Sequence, residues 1–234
     1  MKRVGHKGAH HIAPGNTLAS FDAALEAGVD MIEFDVLPEH RDGTGRLLLA
    51  HDYVDARRAD VIELDEGLEH LRGAGYSGIE LDVDLKVTGY EERVTAALRR
   101  HRLLDRALIS TMERESLRAL RDFEPGARIG LSVPKLRRDP LRTWYTRYPA
   151  YAIGAVAREL LPTSTERAMR AGHFDALMCH WALVTPRLVS AIERAGGELY
   201  VWTVDDAARI ARLEALGVSG VITNDPRLFA SRAS

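Results

Sequence analysis

Two rhythms alternate along the chain. In one, apolar residues return at every second position; in the other, at every third or fourth. Met31-Ile32-Glu33-Phe34-Asp35-Val36 carries the first. Successive side chains of a strand point to opposite faces, so Glu33 and Asp35 share one face and the apolar residues take the other. Leu81-Asp82-Val83-Asp84-Leu85-Lys86 repeats the pattern, with Asp82, Asp84 and Lys86 on one face. The helical rhythm appears at Leu18, Phe21, Ala24 and Leu25, after the capping pair Asn16-Thr17 and before the terminating Gly28.

The same alternation predicts strands from Val4 to Gly8, Met31 to Val36, Ile79 to Leu85, Ala107 to Ser110, Arg128 to Ser132, Ala176 to Cys179, Leu199 to Val204 and Gly220 to Thr223. Helices are expected between them, with a short one near Pro226 to Ala230 at the end. An extra apolar run covers Arg46 to Ala50 and ends at His51-Asp52. A longer, less regular segment, Pro134 to Gly172, follows the fifth strand and is expected to hold one or two helices. Strands alternating with helices require parallel pairing through helical crossovers. About eight such units in one chain predict a (β/α)8 TIM barrel forming a single domain over residues 1–234. A doubly wound open sheet is the alternative, but Gly5-His6-Lys7-Gly8 lacks the glycine spacing of a dinucleotide fingerprint.

Composition narrows the function. The 234 residues are 46% hydrophobic and 28% charged, and the formal net charge is −2, so no global field draws in nucleic acid or an anionic membrane. No apolar run suits a signal peptide or stable membrane insertion, which makes a cytoplasmic location the expectation. The single cysteine, Cys179, allows no internal disulfide.

Two carboxylates on one strand face meet water or face a counter-charge, because buried like charges are otherwise too costly. With His6, Lys7 and His51 nearby in the predicted topology, a hard-metal site is suggested. Barrel chemistry gathers at the C-terminal ends of strands, where His6-Lys7, Glu33, Asp35, His51, Asp84, Lys86, Trp202 and Thr223-Asn224-Asp225 all fall. Carboxylates suit Mg²⁺ or Ca²⁺; zinc would call for closer His or Cys spacing. Taken singly, each residue has an ordinary structural reading. Strand carboxylates commonly make ion pairs, and Trp202 in a strand is more often core than ligand-stacking. His40, His70 and His101 read as solvated, while His10, His11, His173 and His180 are undecided. Their convergence on strand ends is the informative feature.

At these residues the chain resembles the glycerophosphodiester phosphodiesterases over nearly its whole length. His6-Lys7-Gly8 matches that family's His-Arg-Gly, and Pro14-Gly15-Asn16-Thr17 its Pro-Glu-Asn-Thr. Glu33-Phe34-Asp35 matches Glu-x-Asp, His51-Asp52 matches His-Asp, and Asp84-Leu85-Lys86 is similar to Glu-Ile-Lys. Val201-Trp202-Thr203-Val204 and Ile222-Thr223-Asn224-Asp225-Pro226 match its C-terminal motifs. The resemblance implies a barrel hydrolase releasing glycerol 3-phosphate and an alcohol from a small-molecule glycerophosphodiester. It also implies metal ligation by Glu33, Asp35 and Asp84, acid/base work by His6 and His51, phosphate contacts from Lys7 and Lys86, and glycerol packing on Trp202. Three residues depart from the pattern. Lys7 keeps the charge of arginine without its bidentate fork. Gly15 removes a glutamate. Asp84 is one methylene shorter than glutamate.

Two histidines can pass protons near neutral pH, and cationic groups can offset the charge of a phosphodiester. The attacking group stays open between water and the substrate's own glycerol hydroxyl, as do the acid and base roles of the two histidines. Two rivals remain. One is a phosphodiesterase of the lysophospholipase D or phosphoinositide type, with Trp144, Tyr145, Tyr148 and Tyr151 around an apolar mouth. The other is a non-catalytic barrel that binds a phosphorylated ligand. The choice between Mg²⁺ and Ca²⁺ and the oligomeric state are not encoded legibly.

Overall fold

The computed structural model describes residues 1–135 and 144–232, and only the backbone for 144–155, 157, 231 and 232. In chain order the elements are β1 (Lys2–Gly5), α1 (Leu18–Glu26), β2 (Met31–Pro38), β3 (Leu47–Leu49), α2 (Leu64–Leu71), β4 (Glu80–Leu85), α3 (Glu91–Arg100), β5 (Ala107–Thr111), α4 (Arg114–Phe123), β6 (Arg128–Val133), α5 (Trp144–Arg170), β7 (Ala176–His180), α6 (Pro186–Arg194), β8 (Glu198–Trp202), α7 (Ala207–Ala215) and β9 (Gly220–Thr223). A 3₁₀ helix, Pro226–Arg232, takes the place of an eighth α-helix.

Eight strands pair in parallel in the order β1-β9-β8-β7-β6-β5-β4-β2. The pairs Val4↔Met31 and Gly5↔Ile32 join the two ends, so the sheet closes into a TIM barrel and the open-sheet alternative is excluded. The extra run at Arg46 is β3. It lies antiparallel on the end of β2, with Val36↔Leu49 in register, and thereby delivers His51 to the barrel mouth.

Strand parity sorts the barrel interior into layers. At the bottom, Lys2, Glu80, Arg128 and Glu198 alternate in sign, with Lys2–Glu80 at 2.7 Å, Arg128–Glu80 at 2.8 Å and Arg128–Glu198 at 2.7 Å. Above them lies a small apolar plug of Val4, Met31, Leu108, Ala176, Met178, Tyr200 and Ile222. Met31 therefore shares the interior face with Glu33 and Asp35, one layer below them, and does not join the apolar residues of the opposite face. Those residues, Ile32, Phe34 and Val36, pack outward into the larger core between sheet and helices, together with Phe21, Val83, Leu98 and Leu120. The upper third of the interior is polar, and it is open at the top.

Local differences from the expected elements have physical causes. β1 stops at Gly5 because Lys7 (φ 51°) and Gly8 (φ 82°) turn left-handed. A Cβ on Gly8 would come within 2.6 Å of the Ser20 backbone at the start of α1, so the tight loop requires glycine. Thr17 alone caps α1, through a reciprocal pair of bonds with Ser20, leaving the Asn16 side chain for another use. Among the described residues, the segment after the fifth barrel strand forms the 27-residue helix α5. The side chains of Trp144, Tyr145, Tyr148 and Tyr151, expected at an apolar mouth, lie outside the described residues.

Candidate active site

The parallel register of β2 on β4 sets Glu33 opposite Asp82 and Asp35 opposite Asp84. Four carboxylates thus face one interior patch. Oxygen atoms of Glu33, Asp35 and Asp84 lie within 4.8 Å of one another. Two ammonium groups answer them. Lys86 Nζ is 2.5 Å from Asp35 Oδ1 and also pairs with Asp84, and Lys7 Nζ is 3.4 Å from Asp35 Oδ2. Asp35 has no solvent exposure. Burial works to raise its pKa, but Lys86 and Lys7 prevail and hold it well below the carboxylate range. The balance runs the other way at the remaining acids. Burial and the charge of Asp35 push Glu33 well up, burial raises Asp84 despite Lys86, and burial pushes Asp82 up to about 8. In the same field Lys86 is held well above its usual value: burial opposes the charge, and Asp35 and Asp84 outweigh it.

Two ammoniums therefore do not offset these acids. The donor set is all oxygen, and the four acids outnumber the two ammonium groups beside them. Such a site fits a hard divalent cation. Lys7 N–H donates to Glu33 Oε2 at 2.7 Å, and Asn16 grips Asp35 at two points. Asn16 Nδ2 donates to Asp35 Oδ2 at 2.8 Å, and the Asp35 N–H donates to Asn16 Oδ1 at 3.1 Å. Asn16 sits at φ 60°, a conformation that asparagine tolerates better than most residues. Sequence reasoning gave Asn16 a capping role. The usable signal was the doubled candidate Asn16-Thr17, since one helix start needs only one capping side chain.

His6 follows β1 directly and faces the carboxylates, its Nε2 3.8 Å from Glu33 Oε2. Its Nδ1 lies 2.6 Å from Asn224 Oδ1. Asn224 donates its amide group to Asp205 Oδ2 at 2.6 Å and its backbone N–H to Asp205 Oδ1 at 2.8 Å. An amide oxygen only accepts, so the proton of neutral His6 sits on Nδ1 and Nε2 is left bare toward the site. Burial lowers the pKa of His6 to about 4. The Asn224–Asp205 support was not visible in the sequence, because it spans the first strand, the last strand and the loop after β8. His51 is half-exposed, its Nδ1 3.5 Å from Asp52 Oδ2. Asp52 Oδ1 accepts from the Val54 and Asp55 N–H groups at 2.8 and 3.0 Å, which fixes the turn that carries His51.

A cavity opens above this patch, lined by His6, Glu33, His51, Asp84, Lys86 and Trp202. Of the sequence-predicted site residues, Lys7 and Asp35 stand just behind its wall, joined to it through Lys86. Asp82, Ser110, Ser132, Met112, Met178, Thr203 and Ile222 complete the lining and were not predicted to do so. Trp202 also meets the edge of the His180 ring, 5.3 Å between centroids, which brings His180 to the mouth. His70 and His101 make carboxylate contacts on the surface, with Asp22 and Asp65.

Gly15 proves to be a packing requirement as well as a lost glutamate. A Cβ there would lie 2.7 Å from His10 Nδ1 and 2.9 Å from Lys7 Cβ. The Lys7 stem occupies that space on its way to Asp35, and His10 Nδ1 accepts the Gly15 N–H at 3.1 Å.

Comparison with known proteins adds a lineage to this geometry. The model of the Glycerophosphoryl diester phosphodiesterase family matches residues 6–89 and 80–228. The chain is 27% identical over 257 residues to a glycerophosphodiester phosphodiesterase of Caldanaerobacter subterraneus, covering 95% of this chain and 93% of that protein. It is 25% identical over 272 residues to one from Bacillus subtilis, covering 97% and 84%. Among solved structures, a glycerophosphodiester phosphodiesterase of Parabacteroides distasonis superposes with a TM-score of 0.74 at 18% identity, over 100% of this chain and 98% of the other. An Oleispira antarctica phosphodiesterase, solved in complex with the product sn-glycerol-3-phosphate, superposes at 0.72 with 20% identity, over 99% and 96%. At such identities the structures speak for the shared barrel.

Proposed function

The chain belongs to the glycerophosphoryl diester phosphodiesterase family, and from that premise we propose that it hydrolyses glycerophosphodiesters to glycerol 3-phosphate and an alcohol. The whole chain acts as one barrel domain in this reading. The observation that carries it is the oxygen-only trio Glu33, Asp35 and Asp84 beneath a cavity with His6 and His51 in its wall.

Glu33, Asp35 and Asp84 would hold Mg²⁺ or Ca²⁺. When bound, that cation supplies the positive charge that draws electron density from the phosphoryl group. Lys86, already beside Asp35 and Asp84, meets a non-bridging phosphate oxygen from the cavity wall, and Lys7 adds its charge from behind Asp35. His6 exchanges a proton through its bare Nε2, oriented by Asn224 and Asp205. His51, at the solvent-facing rim, exchanges the second proton. Trp202 offers its ring to the carbon skeleton of the glycerol.

The reading is tested by coupled detection of glycerol 3-phosphate released from glycerophosphocholine, glycerophosphoethanolamine and lysophosphatidylcholine. Release from the first two with Mg²⁺ or Ca²⁺, and none in excess chelator, is expected. Undiminished hydrolysis in chelator removes the metal role. Release from lysophosphatidylcholine alone moves the assignment to the lysophospholipid rival, and no release from any diester favours the binding barrel.

A further inference from the structure

The cavity has a polar floor that the proposed chemistry leaves unused. Asp82, Ser110 and Ser132 line it, with exposures of 1%, 1% and 6%. They come from three successive barrel strands, β4, β5 and β6, and lie on the side away from Lys7. Ser110 Oγ donates to Asp82 Oδ1 at 2.6 Å, which spends its one proton and leaves its lone pairs for a donor. No hydrogen bond reaches Asp82 Oδ2 or Ser132 Oγ among the described residues, although both side chains border the cavity. Met112, Met178, Ile222 and Trp202 surround these polar groups with apolar surface.

Polar groups that face a cavity without a protein partner are the groups a ligand completes. This floor offers the free Asp82 carboxyl oxygen, the Ser110 lone pairs and a Ser132 hydroxyl that both donates and accepts, all within an apolar surround. That matches a short carbon chain bearing adjacent hydroxyls.

We propose that Asp82, Ser110 and Ser132 form a hydroxyl-reading subsite that selects the glycerol half of the substrate. The proposal rests on the glycerophosphodiesterase reading and deepens it. It makes Ser132 and Asp82 determinants of specificity. The metal trio and the two histidines would serve any phosphodiester, while the floor distinguishes a glycerol ester from a plain alkyl ester.

The experiment is calorimetric titration of the Mg²⁺-loaded protein with glycerol 3-phosphate and with n-propyl phosphate, which lacks both hydroxyls. The wild-type protein is expected to prefer glycerol 3-phosphate. Ser132→Ala is expected to weaken glycerol 3-phosphate about tenfold, the size of one hydrogen bond, and to leave n-propyl phosphate unchanged. Asp82→Asn serves as the second variant if the first fails to fold, and is expected to narrow the same preference. Titration with Mg²⁺ alone, unchanged in Ser132→Ala, separates the subsite from metal binding. Equal loss for both ligands, or no loss for either, overturns the proposal. Because binding is read directly, a subsite that discriminates in a protein that releases no glycerol 3-phosphate would sink the catalytic reading and not this one.

Discussion

Asn16 concentrates the residue-scale logic of the site. A left-handed backbone, a turn and two hydrogen bonds to one buried aspartate coincide in a single side chain. Asn16→Gly preserves the backbone conformation and deletes both bonds. We expect Mg²⁺ affinity to fall by about 10–100-fold, the usual effect of losing a group that orients a metal ligand, as read by calorimetry. An affinity equal to wild type would mean that Asp35 holds its place without help. The histidines act differently. His6→Ala and His51→Ala should each lower kcat by about 10²–10⁴-fold with the thermal transition unmoved. Asn224→Ala should reproduce part of the His6 effect by freeing the imidazole, and its pH–rate profile should shift where that of a surface substitution would not.

At the scale of elements, the β2–β4 register places the acids and the β1–α1 loop holds their partners. Gly8 is the hinge of that loop, in van der Waals conflict with Ser20 if it gains a side chain. Gly8→Ala therefore strains a left-handed residue and pushes α1 from the barrel end. We expect destabilisation of about 1–3 kcal/mol in chemical denaturation, together with weaker metal binding, because Lys7, Asn16 and Thr17 all hang on this connection. Thr17→Ala, which removes the cap and the hydroxyl's 2.6 Å bond to the Pro14 carbonyl, should cost about 1 kcal/mol and leave the metal affinity alone. An equal effect of both substitutions on metal binding would contradict this division of labour.

For the whole molecule, the barrel confines excess negative charge that the fold alone does not neutralise. The consequence is a pH dependence of sign fixed by Asp82. Burial raises its folded pKa to about 8 from an ordinary 3.8, so the folded state holds this proton more firmly than the unfolded one. Its stabilising contribution is complete below about pH 4 and is lost as pH rises through about 8. In chelator, wild-type stability should therefore fall relative to Asp82→Asn between pH 5 and pH 8.5, measured by thermal unfolding at several pH values. His6, lowered by burial, acts in the opposite sense between about 4 and its ordinary 6.5, but it is common to both proteins and cancels in the difference. A constant gap between the two melting curves would show that Asp82 is not buried as described. Among the described residues no helix is long and apolar enough to cross a membrane.

What the sequence determined on its own was periodic and local. The alternation of Glu33 with Asp35 and of Asp84 with Lys86, and the regular return of strand and helix, follow from side-chain directions that neighbouring residues set. These were enough for the barrel and for the motifs that mark the family. The partners of those residues are another matter. Asn224 and Asp205 meet His6 from the far end of the chain, Ser110 reaches Asp82 from the next strand, and Lys7 takes the room that Gly15 leaves. Such contacts depend on strand register and barrel closure, which join residues up to 218 positions apart. No local pattern encodes which of many buried polar groups will be brought face to face, so the supporting shell and the cavity floor became legible only once the sheet had closed.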